Sequence, residues 1–239
     1  MAAVRDVTTL TPDEIMYMAA LYLENYDGSS FELFREDLSG KNEAILLYGD
    51  GELVGFTTLK IHSDTWDGKR IRVVYSGDTI VSPAHWGQQQ LAFAWIANAG
   101  KIKAAAPDEP LYWLLLVKGH RTFKYLPAFG LSFFPHWAID RGDLKPLADH
   151  LAASLFGADY RSDTGVVAFA ESRGHLRPDL ALPTTEEMRR PDTRFFLDRN
   201  PGYRQGHELV CLCELELRNM KPLTARVFRR GLGLHPNTR

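Results

Sequence analysis

The sequence predicts an α/β (α+β) protein, with a mixed, mostly antiparallel central sheet flanked by helices and a C-terminal extension. Three observations carry that expectation. Strand-forming runs at 44–48, 53–61 and 70–81 are joined by Gly49-Asp50-Gly51 and Asp67-Gly68, and Asp-Gly between two such runs signals a hairpin. Segments with apolar residues at helical spacing stand before and after this meander. Finally, Leu111–Val117 is apolar or aromatic at every position, as expected of a central strand covered on both faces.

Taken in order, Thr11-Pro12-Asp13-Glu14 spells a helix start, with Thr11 as cap, Pro12 in the first turn and Glu14 closing a capping box. That helix is expected over Pro12–Tyr26. Asp27-Gly28 breaks it. Ser29-Ser30 with Glu32 then caps a second, short helix carrying Phe31, Phe34 and Leu38, which ends near Gly40. The three-strand meander follows. Gly77 interrupts its last strand, and a glycine there suggests a bulge or a close approach by another backbone or a ligand. After Ser82-Pro83, the polar start Gln88-Gln89-Gln90 opens an amphipathic helix reaching about Ala106, and Pro107 and Pro110 stop it. Beyond the buried strand, Arg121–Leu126 reads as a short helix with Pro127 in or just past its end, and Ser132–Phe134 as a strand. A helix at Leu144–Phe156, strands at Val166–Phe169 and Leu209–Leu217, and a basic helix at Pro222–Arg230 complete the reading. The polar stretch 173–200 is long for a structureless loop, and is either a linker or an arm held down by Phe195 and Phe196.

The 239 residues include 45% hydrophobic and 24% charged, the mix of a globular protein, so disorder of the whole chain is excluded. A formal net charge of −2 argues against a globally cationic nucleic-acid binder, although the chain is acidic before residue 140 and mildly basic after it. No apolar run nears the roughly 20 residues needed to cross a bilayer. Met1–Asp6 lacks a secretory pattern, so a cytoplasmic protein with no membrane partner is expected. Cys211 and Cys213 share one face of a strand and read as small hydrophobes; two thiols do not complete a zinc tetrad, and no metal is expected.

Two motifs give the chain a resemblance to a known family. The first is Ile80-Val81-Ser82-Pro83-Ala84-His85-Trp86-Gly87-Gln88-Gln89-Gln90-Leu91, a strand end, a proline and a turn into a helix. The second is His120-Arg121-Thr122-Phe123-Lys124-Tyr125-Leu126-Pro127-Ala128-Phe129-Gly130. Together with the element order over 10–137, they resemble the GNAT (Gcn5-related N-acetyltransferase-like) acyltransferases. The first motif resembles the family's pyrophosphate loop, V-x-P-x-x-R-G-x-G-x-G/A, with Trp86 at the basic position and Gln89 and Leu91 at small-residue positions. Phosphate binds at such a helix start because the first amides are unpaired and the helix dipole is positive there. The side chains here would either block that approach or replace it with glutamine donors.

The resemblance implies a GNAT-like domain over 1–137, with 138–239 packed as an extension on the same body. It implies an acyl thioester between a splayed fourth and fifth strand, beside Gly77–Val81 and Leu115–Gly119. Ile80, Val81, Trp86, Gly87, Gln88, Gln89 and Gln90 would hold it. The donor would be acyl-CoA or, given the divergent loop, a phosphopantetheine-linked acyl group on an acyl carrier protein. The acceptor would be an amine or hydroxyl of a small molecule. Such a reaction needs a base and an acid. Tyr125 matches the family's usual acid, Asp78 stands at the cleft end of the fourth strand as the candidate base, and His120 and His85 lie nearby with rings that titrate near neutrality. Each also has a plain structural explanation: a core tyrosine, a turn aspartate, loop histidines. A catalytically retired module of this fold, binding a small apolar ligand or a protein partner, is the alternative function, and unrelated chemistry recruited to the cleft is a third. Weaker candidates are Arg70 with Arg72 on one strand face, a lid over Asp192–Tyr203, and Arg226, Arg229 and Arg230 on the last helix, for which a solvated face is the simpler reading. Acyl chain length and oligomeric state are left open.

Overall fold

The computed structural model describes residues 1–234. Its main sheet has eight strands: β1 (Ala2–Asp6), β2 (Glu43–Gly49), β3 (Glu52–Trp66), β4 (Lys69–Val81), β5 (Leu111–Val117), β6 (Tyr160–Arg161), β7 (Val166–Val167) and β8 (Glu208–Glu214). Their spatial order is β1-β2-β3-β4-β5-β8-β7-β6. Neighbours are antiparallel except β4 and β5, which run parallel. The helices that frame the sheet are α1 (Pro12–Asn25), α2 (Phe31–Ser39), α3 (Gln90–Ala104), α4 (His120–Phe123), α5 (Tyr125–Phe129), α6 (Lys145–Phe156), α7 (Pro191–Arg199) and α8 (Pro222–Gly231), with a further single helical turn at Pro178–Ala181. An antiparallel meander followed by a helix and a strand parallel to the fourth is the GNAT-like arrangement that the resemblance implied. No described helix is long and apolar enough to cross a membrane.

Alternation along the strands divides the core. Ile45, Leu47, Trp113, Leu115, Cys211 and Cys213 face the layer of α3 and α8. Ala44 and Leu46 face α1 and α2, while Leu114, Leu116, Val210 and Leu212 face α6. The uniformly apolar fifth strand is thus covered on both sides, and the two thiols are buried on one face as their spacing required. On the first face α3 and α8 cross almost backbone to backbone: a Cβ on Gly231 would overlap the Ala97 carbonyl, and one on Gly100 the Phe228 carbonyl.

The helix starts follow their local chemistry. Thr11 and Glu14 form the reciprocal capping box, and Ser30 caps α2 by accepting from the Leu33 amide. The Arg121–Leu126 helix is two short pieces, with Pro127 in the first turn of α5, where its missing N–H has no helical partner to lose. Other expectations need correction. β1 was not expected, because five residues ending in Arg-Asp show little periodicity; it exists as an edge strand on β2, from Ala2↔Leu47 to Asp6↔Glu43. Ser132–Phe134 forms no strand and makes only a single bridge, Phe134 to Leu212. The Val166–Phe169 strand shrinks to two residues. The 173–200 stretch is an arm, tied down by Phe196 and ordered by α7. The extension also supplies β8, which pairs with β5 from Leu209↔Val117 to Glu214↔Tyr112, so the sheet runs through both halves of the chain.

Candidate active site

The parallel pairing of β4 with β5 runs from Arg72↔Leu111 to Ser76↔Leu115 and then stops, leaving Gly77–Val81 and the end of β5 to diverge. On its other edge β4 slips by one residue between Thr57↔Thr79 and Leu59↔Ser76, a bulge that sets Gly77 and Asp78 against Thr58. Gly77 is required there. A Cβ would lie 2.5 Å from Thr58 Oγ1 and 2.6 Å from Lys41 Cε. Past the bulge, the Ser82 amide donates to the Val54 carbonyl. Antiparallel alternation then turns the N–H and C=O of Thr79 and Val81 away from β3 and into the opening.

Three cavities converge on this opening, and Thr79 lines all of them. The first, of about 380 Å³, lies between α1–α2 and α6 and is walled by Tyr22, Tyr26, Phe34, Tyr75 and Phe156. Its charged lining is Glu36, Asp37, Asp78, Asp159 and Glu208 with Lys41, Lys60, Lys118 and Arg173. Lys41 pairs with Asp37, and Lys118 with Glu208 at 3.4 Å across the β5–β8 register. Asp78 has no ion-pair or hydrogen-bond partner among the described residues. Loss of solvent first, and the neighbouring Asp37 second, push its carboxyl up to about 7 against the pull of Lys118 and Lys41. Burial also raises Glu208. For Lys118 burial pulls the ammonium down, but Glu208 and the tyrosines outweigh it and hold it above the ordinary lysine value.

The second cavity, of about 400 Å³, opens on the opposite side and is lined by Ile80, Val81, His85, Trp86, Gly87 and Gln88, facing Arg121, Lys124 and Tyr125. Trp86 is 48% exposed. It folds back so that its indole N–H donates to the Val81 carbonyl at 2.7 Å, with the Arg121 guanidinium over its ring. The loop uses three of its amides internally, His85 to Ser82, Trp86 to Pro83 and Gln88 to His85. Gln89 stands at the start of α3 without capping it, and neither Gln89 nor Gln90 lines the cavity. The third cavity is a void of about 30 Å³ under α3, bounded by Ser76, Leu91, Trp95, Trp113, Leu115 and Phe129. Tyr125 lies between it and the second, and burial holds its phenol above the ordinary value, so it is protonated at neutral pH.

The arm roofs the opening. Tyr26–Asp27 pairs antiparallel with His175–Leu176, and the Tyr22 hydroxyl donates to the Arg173 carbonyl. Further on, Arg121 donates to the Leu180 carbonyl, and Glu187 meets Lys124 at 2.9 Å and Arg121 at 3.3 Å. Burial opposes ionisation of Glu187, but its bonds to Thr184 and Lys124 win and hold its carboxyl well below the usual range.

Asp78 and Tyr125 therefore reach the same opening from opposite sides, and Ile80, Val81, Trp86, Gly87 and Gln88 line the second cavity as a group. His120 does not join them. It is 1% exposed, lines neither large cavity, and approaches Glu187 at 3.2 Å, its ring held below the ordinary histidine value by burial despite that carboxylate. Arg70 and Arg72 both meet Glu109. Asp192–Tyr203 packs under Phe196 and Tyr203 away from the opening, and the α8 arginines are exposed. Sequence reasoning missed Lys41, Lys118, Glu208 and the arm's Glu187. A signal for two of them was present: Lys118 and Glu208 are the first charged residues at the ends of two apolar strands. Among the described residues, no three or more His, Cys, Asp or Glu are grouped to hold a metal ion.

No family model matches this sequence, and no curated protein matches it. Solved structures resemble part of it. A conserved Enterococcus faecalis protein described as a probable N-acyltransferase is 14% identical, with 56% of this chain and 33% of that chain covered and a TM-score of 0.42. The Escherichia coli GNAT family N-acetyltransferase YhbS, in complex with CoA, is 17% identical over 54% of this chain and 69% of its own, at 0.39. Arabidopsis thaliana NAA60, in complex with a bisubstrate analogue, is 16% identical over 59% and 91%, also at 0.39. This chain thus spans about a third of the Enterococcus protein's length, and each similarity is confined to part of the chain.

Proposed function

We propose that this protein transfers an acyl group from a thioester to the amine of a small molecule. One observation carries the reading: three cavities meet at Thr79 where β4 and β5 part, with an unpaired carboxylate on one side and a protonated phenol on the other. The first cavity takes the acceptor. Its aromatic walls and its five carboxylates against four cations suit a cationic amine. Asp78 accepts the proton that the ammonium must lose before its nitrogen can attack, and a base titrating near 7 is matched to that task at neutral pH. The Thr79 N–H, turned into the opening, donates to the carbonyl oxygen as negative charge grows on it. As the carbon–nitrogen bond forms and the carbon–sulfur bond breaks, Tyr125 donates its hydroxyl proton to the departing sulfur, the attacking nitrogen releases its second proton to solvent, and solvent reprotonates the tyrosinate.

The thioester lies in the second cavity, along the open edge of Thr79–Val81. Arg121 and Lys124 stand at its far side, where cations favour phosphate. Acyl-CoA and a carrier-protein phosphopantetheine share the pantetheine thioester, so both remain donors under this reading. Release of free thiol is the test, with acetyl-CoA or S-acetyl-pantetheine supplied alongside a panel of mono-, di- and polyamines. Amine-dependent release that Asp78→Asn and Tyr125→Phe each reduce supports transfer. Amine-dependent release that both variants leave untouched would remove the assigned chemistry.

The alternative, a retired module that binds without turnover, has one observation in its favour. The Trp86 indole already occupies the Val81 carbonyl, an acceptor on the strand edge that a donor would share. Saturable thioester binding with no thiol release from any amine would favour it.

A further inference from the structure

The third cavity ends in a wall that divides it from a second void. On its near side lies the space of about 30 Å³ against Ser76 and Leu115; behind the wall lies another of about 10 Å³, reaching Cys213 and Phe228. Among the described residues, only Trp95 and Phe129 line both. Their rings are stacked at 6.0 Å, with Trp113 packed 4.6 Å from Trp95 and 5.8 Å from Phe129. The wall is pinned. Ser76 Oγ accepts from the Trp95 indole at 3.1 Å and from the Trp113 indole at 2.9 Å, so both tryptophans are held by hydrogen bond as well as by packing. Their partner sits at the last paired position of β4, which ties the wall to the point where the strands part.

We infer that Trp95 and Phe129 form a septum that sets the length of the acyl group the protein accepts. The inference rests on the acyl-transfer reading and deepens it. A water-sized group needs roughly 10–15 Å³, so the near void has room for two or three such groups. It admits an acetyl or propionyl tail and stops a longer one at the septum. Beyond a mouth that carries the Thr57, Thr79 and Tyr125 hydroxyls, the lining is apolar apart from Ser76 Oγ, which already accepts two bonds. A hydrocarbon tail is therefore the occupant that leaves no polar group newly unpaired. Removing the Phe129 ring joins the two voids into one apolar channel toward Cys213. Each added methylene that enters such a channel strengthens binding by roughly fourfold.

The test is calorimetric titration with non-transferable thioether analogues of acetyl-, butyryl- and octanoyl-CoA. The wild-type protein should bind the acetyl analogue best and the octanoyl analogue worst. Phe129→Ala, at a half-buried position, should reverse that order. If it does not fold, Ala92→Leu gives the opposite reading, because Ala92 lines the near void on the helix side and leucine is a good helix former. It should weaken butyryl binding far more than CoA binding. Equal binding of all chain lengths by the wild-type protein, or an unchanged order in the folded variants, would overturn the septum while leaving acyl transfer standing. Failure to bind any of the three analogues, or of the pantetheine thioethers carrying the same three tails, would overturn the acyl-transfer reading and the septum with it.

Discussion

The two large cavities on either side of Thr79 are similar in volume and opposite in construction. The first is rich in charged side chains, five carboxylates and four cations, set among tyrosines on elements as distant in sequence as α2, β4 and β8. The second adds the free backbone edge of Thr79–Val81 and a glycine turn to Trp86 and two cations that share the Glu187 carboxylate. Side chains can be tuned for proton transfer by burial and by their neighbours. A backbone edge cannot titrate, but it offers donors and acceptors at fixed positions. The division of labour in the proposed reaction follows, with proton removal on the side-chain face and alignment of the thioester on the backbone face.

The largest test of that division is Asp78→Asn. Removing a positioned base lowers turnover by about 10²–10⁴-fold, and steady-state thiol release should fall within that range with the donor dissociation constant nearly unchanged. Loss of donor binding instead would show that the two sides are not separate. Tyr125→Phe, on the other side, should cost about 10²-fold in kcat at the lower end of the same range, with the larger deficit for donors that release the more basic thiolate.

A pH measurement sharpens the contrast further. The Asp78 carboxyl is raised in the folded protein from 3.8 to about 7, so the native state binds a proton that the unfolded chain has already released across that interval. Its contribution to stability is therefore favourable below about pH 4 and is lost as pH rises toward 7. Asp78→Asn should raise Tm relative to wild type at pH 8, and the gap should close as pH falls to 4. Thiol release by the wild-type protein should rise with pH through the same titration.

Outside the site the effects shrink and become purely structural. Gly231→Val forces a side chain onto the Ala97 carbonyl where α3 and α8 cross, and overpacking of this kind costs about 1–3 kcal/mol. Tm should fall with the pH profile of activity unchanged. Arg229→Ala, on the exposed side of α8, should change stability by no more than about 0.5 kcal/mol.

Legibility in the sequence varied with how local the determinants are. The capping box at Thr11–Glu14, the Asp-Gly turns and the all-apolar fifth strand are written in a few adjacent residues, and they fold as read. Gly77 announced the bulge because only a missing Cβ fits beneath Lys41 and Thr58. Asp78 could be proposed from its place near the end of the fourth strand, and Tyr125 from the resemblance of the 120–130 motif. His120 misled for a related reason, since its offset from β5 is right but the first turn of α4 points its ring to Glu187. Lys41, Glu208 and Glu187 could not be placed, because what brings them to the site is the α2–β2 turn, the β5–β8 register and the path of the arm. β8 enters the sheet from about ninety residues beyond β5, and no local pattern states that pairing.

The most direct measurement of the central claim is a crystal structure with a non-transferable acetyl-CoA thioether analogue. The account predicts the analogue's carbonyl oxygen at about 2.8–3.1 Å from the Thr79 amide nitrogen, its methyl group in the void bounded by Trp95, Trp113 and Phe129, and Asp78 across the opening from it. An analogue bound elsewhere, or seated with its carbonyl turned away from β4, would contradict the account.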